Sequence, residues 1–349
     1  MRAIKYLLFL TLPITVSISF IQNGWLTFLP VITFFIIVPL LELFFKPKNN
    51  NFNEEEEEVE KNNKFYTHIL YLAATLHLFF LLWFLIFVHH QNIPLIDFIG
   101  KITSMGMMCG VIGINVGHEL GHRNNRMDIL IGEVLLLSSL NMHFLPYHNA
   151  GHHFNVATKK DAATARRNEN VYIFWIRSHF QSYYQAWILE NKKLLLNNKP
   201  WYHYQNRMVI YTIASLALIF QIFYFLSIKS LFAFILAAII GILLLETVNY
   251  IEHYGLLRKQ NKSGRYERVK RIHSWNSDHV ISKYILFNLS RHSDHHYNGS
   301  KHYQLLKSLV ESPQMPTGYP GMMILALFPP LWFKLMNKKL QALQKNNEY

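Results

Sequence analysis

Six apolar runs, each about as long as a lipid bilayer's hydrocarbon core is thick, leave this chain little choice of architecture. They extend from just after Lys5 to about Ile21, from Trp25 to Phe45, Phe65 to Val88, Phe98 to Gly117, Val209 to Leu226 and Leu231 to Tyr250. About 20 apolar residues cross the ~30 Å core as a helix. Lipid offers backbone N–H and C=O groups no partners, so a spanning segment satisfies them within its own helix. The predicted fold is therefore all-α, a polytopic membrane protein with six transmembrane helices.

The runs pair into three hairpins, at 1–48, 65–117 and 206–250, separated by an acidic linker at 49–64 and by polar segments at 118–205 and 251–349. The net charge of +13 would fit a nucleic-acid partner, but Lys and Arg lie almost wholly between and after the apolar runs. That is the positive-inside pattern, and it predicts both polar segments in the cytoplasm and no nucleic acid bound. The first run does not read as a secretory signal, because no clean small-x-small cleavage site follows it. Like charges in Glu54 to Glu58 predict a solvated, disordered linker. Ile129 to Pro146 and Tyr172 to Leu189 read as interfacial or domain helices rather than spans, and the Pro329-Pro330-broken run Met322 to Leu335 reads as lying at the interface.

On the cytoplasmic side this topology collects nine histidines into a helical cap: His118-Glu119-Leu120-Gly121-His122, His148 with His152-His153, His253, and His292 with His295-His296. On a helix, residues i and i+4 share a face, so His118/His122, His148/His152 and His292/His296 each direct two imidazoles to one centre. Adjacent pairs diverge by about 100°, so His152/His153 and His295/His296 suit two neighbouring metals. Nine imidazoles exceed one tetrahedral zinc site and fit two metals with positions left open for a small ligand. Carboxylates are expected to orient neutral imidazole ligands from behind, with Glu119, Glu252, Asp278 and Asp294 as candidates. Glu246 lies within the sixth run, where a carboxylate points to function, and it shares a face with Asn249 and His253 at i, i+3 and i+7. The single Cys109 excludes a cysteine-ligated zinc, rubredoxin-type iron or iron–sulfur centre within this chain, and reads as buried filler. Isolated histidines such as His68, His77, His203 and His302 read as hydrogen-bonded bystanders.

These segments resemble the integral-membrane alkane 1-monooxygenases. His118 to Arg123 is similar to the family's first histidine box, His148 to His153 to the second, Asn249 to Leu257 to its H-Y-G element, and Leu289 to His296 to the third. Val156-Ala157-Thr158 with Asp161 to Arg166, and Trp275-Asn276-Ser277 with His279, resemble stretches beside the second and third boxes. The resemblance covers roughly 36–310, and the H-Y-G element sets it apart from desaturases. Arg123, Tyr147, Ala150 and Ser290 depart from the usual pattern, and none of them is a ligand position.

The resemblance implies a non-haem di-iron centre held by the nine histidines. It further implies hydroxylation of the terminal methyl of n-alkanes with O2, and electrons from rubredoxin, which an NAD(P)H-dependent rubredoxin reductase serves. The spans would then admit the apolar alkane from the membrane lipid. Relatives acting on aromatic methyl groups or fatty acyl chains are the nearest alternative. His118-Glu119-Leu120-Gly121-His122 also fits H-E-x-x-H of zinc peptidases, but an intramembrane zinc metallopeptidase would leave seven histidines idle. A metal transporter would want its ligands along the spans rather than at their ends.

Overall fold

The computed structural model of the chain describes residues 2–345. Its elements are helical, and six are long and apolar enough to cross a membrane: Ala3–Ile21, Gly24–Phe44, Phe65–His90, Leu95–Gly121, Arg207–Phe225 and Ile228–His253. They coincide with the six apolar runs. The fourth begins after Pro94 and continues past Gly117, so that His118 lies in its last turn.

The fourth and sixth spans form the centre of the bundle, and small residues let them approach closely. A Cβ added to Gly241 would stand 2.6 Å from that of Cys109, and one on Gly106 would stand 2.6 Å from Ile240. Cys109 is thus buried filler at a helix crossing. That crossing sets the His118 end of one span beside the His253 end of the other. Helix Arg126–Leu137 then folds back onto the fourth span at a second close contact, where a Cβ on Gly132 would lie 2.8 Å from the Gly117 carbonyl. At the opposite end of the bundle the buried Lys101 ammonium donates to the carbonyls of Ser19, Phe20 and Gln22 at 2.7–3.0 Å. A cation is well placed there, on the orphan carbonyls that end the first span.

Between and after the spans, Val171–Leu195, Tyr319–Ala326 and Pro329–Lys345 build the layer that encloses the histidines. The Pro329-Pro330 break appears as two helices, with Pro329 opening the second, where its missing N–H costs nothing.

The acidic linker departs from expectation: Glu54–Asn62 is a helix. Asn53 accepts the Glu56 N–H at 2.8 Å and donates its own N–H to the Glu56 carboxylate at 3.1 Å, forming a capping box. Four glutamates in the first turn also meet the positive end of the helix dipole. Arg2 pairs with Glu56, and Lys307 pairs with Glu57 at 2.5 Å. Local capping and external cations therefore outweigh the mutual repulsion of the run.

Candidate metal centre

All nine clustered histidines converge, and they sort into two groups. His118, His122, His148, His153 and His295 form one; His152, His253, His292 and His296 form the other. Within each group the potential ligand atoms all lie within 4.8 Å of one another. The two groups adjoin, with the His153 and His296 rings 4.7 Å apart between centroids.

The two helix-spaced pairs at the ends behave as the periodicity predicts. His118 and His122 share the first group, and His292 and His296 share the second. The middle pair does not. His148–His152 is a π-helical turn, whose i→i+5 bonds bring residues five apart onto one face. His148 therefore joins His153, with Nε2 atoms 3.0 Å apart, and His152 turns to the other group. The wider turn lets one short segment serve both groups.

Spacing within the groups matches metal coordination. Nε2 of His118 lies 2.9 Å from that of His148, 3.1 Å from His122 and 3.2 Å from His295. In the second group His292 stands 3.1 Å from His253 and 2.9 Å from His296. Two nitrogens bound at right angles to one ion with bonds of ~2.1 Å stand ~3.0 Å apart, against ~3.4 Å at a tetrahedral angle. Neighbouring nitrogens within each group are thus close enough to share one ion. The buried His152 Nε2 has no hydrogen-bond partner among the described residues, as expected of an atom reserved for a metal.

Electrostatics favour ligation too. Burial first, and repulsion from neighbouring imidazoles second, hold His148, His153, His292, His295 and His296 well below the usual imidazole range, and push His122 down to about 3. Neutral rings keep a lone pair free for a cation.

Of the six candidate supporting residues, one touches a clustered histidine. Glu252 Oε2 lies 3.2 Å from His292 Nε2, and its other oxygen accepts the Tyr319 hydroxyl at 2.7 Å. Glu246 is engaged by the Asn249 amide at 3.3 Å. Glu119 pairs with Arg123 at 3.4 Å and accepts the Tyr303 N–H, so it is not poised as the general base of an H-E-x-x-H peptidase. Asp278 binds Arg291 and Ser308, and Asp294 binds Lys301 and the Lys307 N–H. These last three carboxylates brace the loops that carry the histidines.

Asp161, not singled out as a supporting carboxylate, also holds a clustered histidine directly. It accepts from His152 Nδ1 at 2.9 Å, Tyr147 Oη at 2.5 Å and Thr164 Oγ1 at 2.6 Å. Burial alone would raise its carboxyl, but His152 and the two hydroxyls outweigh it and hold the group at about 2. Nothing in helical periodicity relates Asp161 to His152, because the chain between them turns back irregularly. His77, by contrast, bonds Ser138 at 2.8 Å, away from both groups.

A cavity of about 870 Å³, counted with the space at its mouth, runs between the second, fourth and sixth spans to the histidines. Phe34, Phe35, Val111, Ile114, Leu244 and Val248 are among its apolar walls, and His118, His148 and His292 close its end. It therefore reaches both groups. Its few polar lining residues, Asn115, Asn249, Glu252 and Ser282 beside the histidines, leave the rest of the wall suited to hydrocarbon.

The family model for fatty acid desaturases matches residues 93–326. Among curated proteins the chain is 38% identical to alkane 1-monooxygenase 1 of Pseudomonas aeruginosa over 264 residues, covering 76% of this chain and 69% of that protein. It is 34% identical to alkane 1-monooxygenase 1 of Alcanivorax borkumensis over 321 residues, 91% of this chain and 79% of that one. The hydroxylase component of a Pseudomonas putida xylene/toluene monooxygenase is 28% identical over 239 residues, 68% of this chain and 63% of that one.

Proposed function

Because this chain belongs to the alkane 1-monooxygenase family of multi-pass membrane oxidoreductases, we propose that it hydroxylates the terminal methyl group of n-alkanes at two irons held by its nine clustered histidines. The observation that carries this reading is the apolar cavity ending on members of both histidine groups. When bound, the irons supply activation of O2: with two electrons and two protons, one oxygen atom enters the alkane as hydroxyl and the other leaves as water.

The chain's own residues supply the rest. The aromatic and branched walls confine the hydrocarbon and exclude water, so that only a chain end reaches the histidines. Glu252, hydrogen-bonded to Tyr319 and beside His292, is placed to hold a proton at the cavity's end. We place the histidine end on the cytoplasmic side of the bacterial inner membrane, on the strength of its basic segments.

Product analysis with n-alkanes of graded length, in cells supplying rubredoxin and its reductase, tests the proposal. Accumulation of 1-alkanols is expected. Hydroxylation of xylene or toluene methyl groups, or of fatty acyl chains, with no product from any n-alkane would replace it with the activity of the more distant relative or of an acyl hydroxylase.

Electrons come from rubredoxin in this reading, docked where the histidines approach the surface. His122 and His153 are the two partly exposed members of the clusters. Beside them, Arg258 donates to the Phe154 carbonyl at 2.7 Å and the Arg271 guanidinium lies 4.8 Å over the Tyr297 ring. The loop between these arginines adds Lys259, Lys262, Arg265, Arg268 and Lys270 against Glu267 alone. Such a face attracts an acidic carrier, and salt screens the attraction over a Debye length of about 8 Å. Turnover at limiting rubredoxin is expected to fall roughly tenfold between low and high salt, and far less at saturating rubredoxin. Equal salt dependence at both carrier concentrations would remove this surface from the argument.

A further inference from the structure

A second cavity, about 1110 Å³ with the space at its mouth, is polar where the first is apolar, and it lies apart from the histidines. Lys5 and Tyr6 near the start of the first span, Lys48 just after the second and Tyr66 at the start of the third all line it, so it sits at the level where spans leave the bilayer.

Its charges do not balance. Arg2, Arg291 and Lys307 have carboxylate partners in Glu56, Asp278 and Glu57. Lys5, Lys48 and Lys283, which also line the cavity, have none within ion-pair distance among the described residues. Lys283 is only 2% exposed, and its ammonium donates to the Lys48 carbonyl at 2.7 Å. Lys5 and Lys283 both lie over the ring of Tyr284, at 5.7 and 5.3 Å. Burial first, and the nearby Arg291 second, push the Lys283 ammonium down to about 8 against a smaller opposing pull from Asp278, which leaves it charged at neutral pH with Lys5 and Lys48 also acting on it. A buried cation facing further cations is costly unless an anion joins them.

Two amide oxygens among the residues lining the same cavity lack donors. Asn288 and Gln304 are each 3% exposed, and each leaves its amide oxygen without a hydrogen bond. The Asn288 amide is oriented by its bonds to the Tyr6 hydroxyl at 2.6 Å and the Tyr303 carbonyl at 2.9 Å, so the free oxygen is an acceptor waiting for a donor. Ammonium groups without a carboxylate in ion-pair contact, beside amide oxygens without a donor, call for one ligand that carries both an anion and hydroxyl groups.

We propose that this cavity binds the phosphate ester of an anionic glycerophospholipid headgroup, the phosphate on Lys5, Lys48 and Lys283 and glycerol hydroxyls on the amide oxygens of Asn288 and Gln304. Anionic lipids are concentrated at a cytoplasmic leaflet, and basic side chains near span ends draw on that potential. Free phosphate offers the same anion without acyl chains, and the test separates the two.

Thermal unfolding of the purified full-length protein in detergent, with added phosphatidylglycerol, phosphatidylcholine or inorganic phosphate, reads the site directly. Phosphatidylglycerol is expected to raise Tm by about 5 °C more than phosphatidylcholine, since a ligand that binds only the folded state stabilises it. Inorganic phosphate is expected to give less than half that shift. In Lys5→Gln/Lys48→Gln, whose side chains are exposed and whose loss leaves the core intact, the phosphatidylglycerol advantage should shrink at least twofold. Lys283→Gln should remove it altogether; where that variant does not fold, the exposed pair decides. Equal shifts with both lipids, or an undiminished advantage in the exposed pair, would overturn the site. A full shift from inorganic phosphate, with nothing added by lipid, would overturn the lipid as its ligand. The readout is independent of hydroxylation, so it stands or falls apart from the proposed enzyme activity.

Discussion

Alanine at any one of His118, His122, His148, His152, His153, His253, His292, His295 and His296 is expected to lower alkane hydroxylation at least ~100-fold, whereas His68→Ala, His203→Ala and His302→Ala retain it. Loss of a group that orients a ligand already costs 10–100-fold in many metal sites, and loss of the ligand itself costs more. The separation into five and four makes the prediction sharper than loss of activity. A variant in the group of four should lose about one metal per chain while the group of five keeps its own, and removal of two ligands from the group of five should do the converse. Elemental analysis alongside whole-cell turnover checks both halves. Full activity after loss of His253 would take it out of the ligand set, and joint loss of both metals from every single variant would mean that the two groups form one cooperative centre.

Replacing Asp161 should produce the next largest effect without removing any ligand. Its carboxylate accepts from His152 Nδ1, and the proton on that nitrogen leaves Nε2 bare to face the second group. Asp161→Ala takes away that acceptor and also leaves the buried Tyr147 and Thr164 hydroxyls without theirs. A 10–100-fold fall in metal affinity and activity is expected, with metal lost from the second group first. Asp161→Asn keeps an oxygen for His152 and should recover part of the affinity. If Asn and Ala behave alike while both proteins keep their metals and wild-type Tm, Asp161 does not position His152.

Membrane architecture was legible along the chain because lipid gives a backbone no partner but itself. Once the runs at Phe65 to Val88 or Leu231 to Tyr250 are long and uncharged, a helix is the only solution for them. The same constraint made His118/His122 and His292/His296 readable as pairs, since ordinary helical periodicity governs both. A capping box at Asn53 and Glu56 was written locally as well, and a reading led by charge repulsion passed over it.

Tertiary structure decided what periodicity does not encode. A π-turn at His148–His152 differs from an α-turn by one residue in each hydrogen bond, a small local difference that the two facing histidine groups select. The role of Asp161 depends on an irregular return of the chain to His152, and that of Glu252 on Tyr319 arriving from a helix 67 residues further on. The close crossing of Gly241 on Cys109 brings the fourth and sixth spans together, and with them the first histidine box and His253. Composition and spacing along one chain specify which residues bind well and which lie in lipid. Only contacts between distant segments, each satisfying a buried polar group or filling space beside a glycine, determine which histidine stands beside which.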